Sequence, residues 1–108
     1  MRIQTLIYFL ITTTLFPSIK PVNNSTINYI HVLFEWEEIS NVSDYNLLVI
    51  LDNVTILDIT TSNLYHVDKQ NINWDTSYLW QVCNSDDSSQ CSDVYNFSTG
   101  SEIDLGEL

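Results

Sequence analysis

Basic residues are almost missing from this chain. Arg2, Lys20 and Lys69 stand against fourteen Asp and Glu, for a net charge of −11. Nucleic-acid phosphates are bound by Lys and Arg that displace their counterions. A chain this poor in cations offers no such surface, so nucleic acid is excluded as a partner. Anionic lipid surfaces fall to the same reasoning. Glycine is nearly absent as well, with two in 108 residues, which removes the glycine-rich loops that cradle nucleotide phosphates. Cysteine is limited to Cys83 and Cys91. Two thiols do not close a zinc site, and their spacing matches no metal-site signature. The acidic run "SDDSSQCSD" (Ser85 to Asp93) lacks the central Gly and closing Glu of a calcium loop. No metal or cofactor is expected. The acidity reads as a solvated surface that keeps the protein in solution.

Catalytic signals are equally sparse. His31 and His66 are the only imidazoles, and neither lies near a nucleophile motif. Glu35, Glu37 and Glu38 cluster at a strand end. A pair of carboxylates suits glycoside hydrolysis, yet a domain this small has no deep cleft to raise a carboxyl pKa and exclude water. The chain is read as a non-enzyme.

The first residues do carry a signal. "MRIQTLIYFLITTTLF" opens on Arg2 and then runs mainly apolar for about a dozen residues, the length of a leader-peptide core and too short to span a bilayer. Residues 1–18 are assigned as a signal peptide, with cleavage between Thr14 and Ser18. Export suits the cysteines, because an oxidising compartment favours a short-range Cys83–Cys91 disulfide at the neck of a hairpin. Five N-x-[S/T] sequons, at Asn23, Asn24, Asn41, Asn53 and Asn96, exceed the roughly two that composition gives by chance. The expected location is secreted or at the cell surface or envelope.

Past the leader no amphipathic helix appears. Short β-rich runs alternate with Asn/Ser/Asp/Thr clusters. An extended stretch around Ile19 to Val22 comes first. "NYIHVLFEW" (Asn28 to Trp36) places Ile30, Val32, Phe34 and Trp36 at period two, which is a half-buried strand. "YNLLVIL" (Tyr45 to Leu51) is apolar on both faces. "VTILDIT", "LYHV", "SYLWQVC" and "CSDVYNFST" complete about seven strands. With no helices between them a parallel sheet is unavailable, and the pattern is an antiparallel sandwich. Its predicted core is Val32, Phe34, Trp36, Tyr45, Leu47, Val49, Ile72, Tyr78, Trp80, Val82 and Phe97. The length allows one domain, over residues 19–99, followed by an acidic tail or linker over residues 100–108.

The order of these signals resembles a fibronectin type III domain of the kind found in exported bacterial proteins. "PVNNST" resembles the opening proline and turn, "LFEW" the second strand, "SDYNLLV" the third, "INWDTSYLWQV" the approach to the sixth, and "CSDVYNFSTG" the last. The resemblance covers about 80 residues and implies a seven-stranded antiparallel immunoglobulin-like β-sandwich. It also implies a tyrosine corner, in which Tyr78 follows Ile72 by six residues and its hydroxyl bonds backbone upstream. The role implied for such a module is a spacer or protein-interaction domain, as a monomer or within a larger assembly. A candidate interaction surface is formed by Leu48, Ile50 and Leu79, which point away from the core, together with Trp74. A second reading is carbohydrate or ligand binding through Trp74 and the polar loop Asn84 to Gln90.

Overall fold

The computed structural model describes residues 19–103. The leader assigned to residues 1–18 lies outside them, as does the tail beyond residue 103. The described residues contain eight strands and no helix: β1 (Ser25–Ile27), β2 (Val32–Glu35), β3 (Tyr45–Leu51), β4 (Val54–Thr61), β5 (Tyr65–Asp68), β6 (Ser77–Asn84), β7 (Asp87–Cys91) and β8 (Tyr95–Thr99). The larger sheet runs β1-β8-β6-β3-β4, with β7 also paired to β6, and the smaller sheet is β2-β5. The two sheets enclose one core, which is the layer arrangement of an immunoglobulin-like sandwich.

Alternation decides which side chains meet in that core. Residues i and i+2 of a strand share a face. Val32 and Phe34 of β2 therefore point inward with Leu47 and Val49 of β3 and with Tyr78, Trp80 and Val82 of β6, and all seven are buried. All eleven predicted core residues are buried. The aromatic rings interlock: Phe34 meets Trp80 edge-on at 5.5 Å and Phe97 at 5.9 Å, while Tyr78 stacks on Phe97 at 5.3 Å. Each such ring brings a large apolar area out of water, and the pair geometry adds about 0.5–1.5 kcal/mol beyond it.

Five features differ from the sequence expectation. The extended stretch at Ile19 to Val22 contributes only a single bridge, Lys20 to Glu35. Pro21 has no N–H to continue that ladder, and Asn24 then turns the chain with φ 67°. The chain next enters β1, which joins the other sheet by parallel pairing with β8, Ser25 opposite Phe97. The run from Asn28 becomes a strand only at Val32, with bends before it. The segment Asn84 to Gln90 is a β-hairpin rather than a loop, turning at Ser85 and Asp86 between β6 and β7. Finally, "CSDVYNFST" is broken at Ser92 to Val94, so β7 and β8 are separate. The strand count is thus one above expectation, and one of the pairings is parallel.

The β3–β4 connection places the face described next. Asp52 and Asn53 both adopt left-handed backbone, with φ 50° and 66°. A two-residue turn with both φ positive matches the twist of an antiparallel hairpin, and Asn and Asp tolerate that region better than most residues.

Candidate functional site on the outer sheet face

The outward positions of β3 are Asn46, Leu48 and Ile50, and those of β6 are Ser77, Leu79 and Gln81. Register sets Leu48 opposite Gln81, Ile50 opposite Leu79, and Leu79 opposite Asn96 of β8. Leu48 and Ile50 are half-buried and Leu79 is 42% exposed. The three aliphatic chains form a short stripe over the two central strands. Polar groups frame it. Asn46 donates its side-chain N–H to Asp58 Oδ1 at 2.9 Å, and the Ser77 and Ser98 hydroxyls pair at 2.8 Å. Two open hollows lie along the stripe. One, of about 480 Å³, is lined by Ile50, Asn53, Leu79 and Asn96 among others. The other, of about 380 Å³, includes Leu48, Asp58, Gln81 and the disulfide. An apolar stripe with a polar rim is the pattern of an interaction surface.

The remaining candidate residues fall at the two ends of β6. At its start, Tyr78 is buried and its hydroxyl accepts the Asn73 N–H at 2.8 Å. Ile72 is buried beneath the same segment. Thr99 completes the corner: its hydroxyl donates to Asn73 O at 2.6 Å and accepts the Thr76 N–H at 3.1 Å. Trp74 sits in this segment, half-buried, with its carbonyl accepting the Thr76 hydroxyl at 2.7 Å. The close ring pairs among the described residues involve Phe34, Trp36, Tyr45, Tyr78, Trp80, Tyr95 and Phe97, so Trp74 is not half of a two-ring platform there.

At the far end of β6, Cys83 and Cys91 face each other across the β6–β7 ladder and are joined by a disulfide. The polar groups of this hairpin bond mainly to one another. Asn84 donates to Gln90 Oε1 at 3.0 Å and accepts the Asp86 N–H at 2.9 Å. Asp87 accepts both the hydroxyl and the N–H of Ser89, and these two bonds hold its carboxyl below its usual range.

The titratable groups are dispersed. His31 is exposed in the bend before β2, and His66 is half-buried on β5 opposite Phe34. Glu35 lies 4.0 Å from Lys20. Glu37 and Glu38 are exposed beside a hollow of about 280 Å³ that Trp36, Asp93 and Tyr95 also line. Burial, followed by the charges of Asp93 and Glu37, raises the Tyr95 pKa. Among the described residues no cluster of three or more His, Cys, Asp or Glu is placed to hold a metal ion, and no helix is long and apolar enough to cross a membrane.

Sequence reasoning missed two structural residues here. Val42, in a polar run, is buried because Tyr45 folds its loop inward; the Tyr45 hydroxyl donates to Val42 O at 3.3 Å and accepts the Ile39 N–H at 3.2 Å. Thr99 was visible only as the end of a strand.

The strand order and core define an immunoglobulin-like β-sandwich, the architecture that the resemblance to fibronectin type III domains implies. No family model matches the chain, and no curated protein matches it. A solved structure described as "Structure of FN3tt mut" is similar at 16% identity and a TM-score of 0.49, over 76% of this chain and 99% of that one.

Proposed function

We propose that the chain is a non-catalytic module of an exported protein, serving as a spacer that also docks a protein partner through the outer face of its larger sheet. The observation that supports this is the Leu48–Ile50–Leu79 stripe: aliphatic side chains left partly open to water on the two central strands. The leader-like start and the disulfide support export. The carbohydrate reading has less support, because Trp74 is a single half-buried ring and the hairpin's polar groups are largely engaged with each other.

Site-specific photo-crosslinking in the cells that make the protein tests the docking face. A crosslinker at Leu48 or Leu79 is expected to capture one discrete partner. The same group at Tyr65, 52% exposed on the smaller sheet, is expected to capture none. Equal capture from both sheets, or none from Leu48 and Leu79, rejects the docking role.

A further inference from the structure

The five sequons are not equivalent in the folded protein. Three of them are built into one hydrogen-bond network that ties β1 to β8. The Asn96 N–H donates to Asn23 Oδ1 at 2.9 Å, and Asn96 Nδ2, the atom a glycan would occupy, donates to Asn24 Oδ1 at 2.7 Å. Asn24 N–H in turn donates to Asn96 O at 2.8 Å. Two of the sequon hydroxyls are engaged too: Ser25 donates to Val22 O at 2.6 Å, and Ser98 pairs with Ser77.

Asn41 and Asn53 take no part in any such network, although they share with Asn24 an exposed turn and left-handed backbone. Each is exposed in a turn with positive φ, 64° and 66°. Ser43 and Thr55, two residues on, are exposed as well, and none of these four side chains hydrogen-bonds another described residue. Left-handed backbone accounts for an Asn in each turn. It does not account for a hydroxyl residue two positions later whose side chain hydrogen-bonds no other described residue, Thr55 standing in β4 opposite Ile50. A sequon requires that hydroxyl.

We infer that Asn41 and Asn53 are N-glycan acceptors and that Asn23, Asn24 and Asn96 are structural. The inference rests on the export reading, since the donor is a lipid-pyrophosphate-linked oligosaccharide met only by translocated chains. In the transfer, Asn Nδ2 forms a bond to the anomeric carbon of the donor sugar. The bond from that carbon to the pyrophosphate oxygen breaks, the pyrophosphate leaves with the electron pair, and the amide proton passes to a base of the host transferase. Synthesis of 108 residues takes roughly 5–20 s, so folding competes with transfer. The β1–β8 network withdraws its three asparagines as it forms, while the two turns stay open. Asn53 borders the hollow that contains Ile50 and Leu79. A glycan there flanks the Ile50–Leu79 end of the docking stripe.

The test is translation of the full chain with microsomes, placed behind an added cleavable leader so that entry does not depend on residues 1–18. Protease protection scores entry and a glycosidase-sensitive mobility shift scores glycans. Two glycans are expected, one lost in N41Q or S43A and the other in N53Q or T55A. The S43A and T55A variants keep the turn asparagines, so a folding defect is separated from a lost acceptor. N23Q, N24Q and N96Q are expected to lose none. A protected chain without glycans, or glycans that persist in the S43A/T55A double variant, overturns the assignment. The unaltered chain in the same reaction tests export alone: if it stays protease-sensitive while the leader-bearing chain is glycosylated, the export reading fails and the acceptor assignment stands.

Discussion

Removing the disulfide asks whether the β6–β7 neck is made by the sulfur bridge or merely held by it. The perturbation is the double substitution Cys83→Ala/Cys91→Ala. The bridged residues are eight positions apart. Loop-closure entropy for a ring of that size is about 8 cal/mol/K, so the bridge destabilises the unfolded chain by about 2.5 kcal/mol at 25 °C. The native hairpin has other support. Ser92 N–H donates to Val82 O at 2.7 Å, Val82 N–H donates to Ser92 Oγ at 3.1 Å, and Gln81 reaches Ser92 O at 3.0 Å. These bonds do not involve sulfur, so the fold survives and the loss falls on the unfolded side of the equilibrium. For a domain of this size about 2.5 kcal/mol lowers Tm by about 10–20 °C, which a typical stability of about 5–15 kcal/mol tolerates. Urea and thermal unfolding of both proteins, followed by tryptophan fluorescence, give the difference directly. Amide exchange at Val82 and Ser92 reports whether the neck persists. A loss below about 1 kcal/mol refutes the entropic account. So does a loss accompanied by unprotected amides at those two positions, which would mean that the bridge builds the hairpin.

Two further outcomes follow from the core and its edge. Tyr78→Phe keeps the ring on Phe97 but removes the acceptor of the Asn73 N–H; it is expected to lower stability by about 1–2 kcal/mol, against about 3–5 kcal/mol for Tyr78→Ala, and an unchanged stability of Tyr78→Phe in urea unfolding would show that the hydroxyl bond does not hold the corner. Tyr95, its pKa raised by burial and then by Asp93 and Glu37, keeps its proton in the folded protein where the unfolded chain, titrating near about pH 10, has lost it. The folded state then binds more protons, so this contribution to stability is complete below that pH and declines as pH rises through it. Urea midpoints on both sides of about pH 10 are expected to fall more steeply for the wild type than for Tyr95→Phe, and parallel slopes would refute the linkage.

The sandwich was legible because its central strands advertise themselves locally. Val32, Phe34 and Trp36, and Tyr78, Trp80 and Val82, stand at period two, and that spacing alone sends each set to one face. What stayed hidden depends on partners far along the chain. Ile27 is buried because β1 lies parallel to β8, about seventy residues away, and no local period encodes that pairing. Polar β7 has almost nothing to bury, and becomes a strand because the ladder and the disulfide hold it against β6. The asparagines 23, 24 and 96 read as three sequons until the fold brings them together.

The candidate face was legible for a different reason. Leu47 and Val49 already satisfy the core, so Leu48 and Ile50 are apolar beyond what one buried face requires. A central strand with only one face buried would normally alternate with polar residues, as β6 does at Ser77 and Gln81. In the two central strands of the larger sheet the departure lies at Leu48, Ile50 and Leu79, the last directly opposite Ile50; on the smaller sheet Leu33 and Val67 form a two-residue exposed pair. Three surplus aliphatic residues from two separate segments of sequence thus converge on one spot. Chance scatter of exposed aliphatics does not require cross-strand neighbours, and single exposed apolar residues need no explanation. Convergence through the register is what distinguishes this stripe from Val54 or Ile103, which are more exposed but lie outside it.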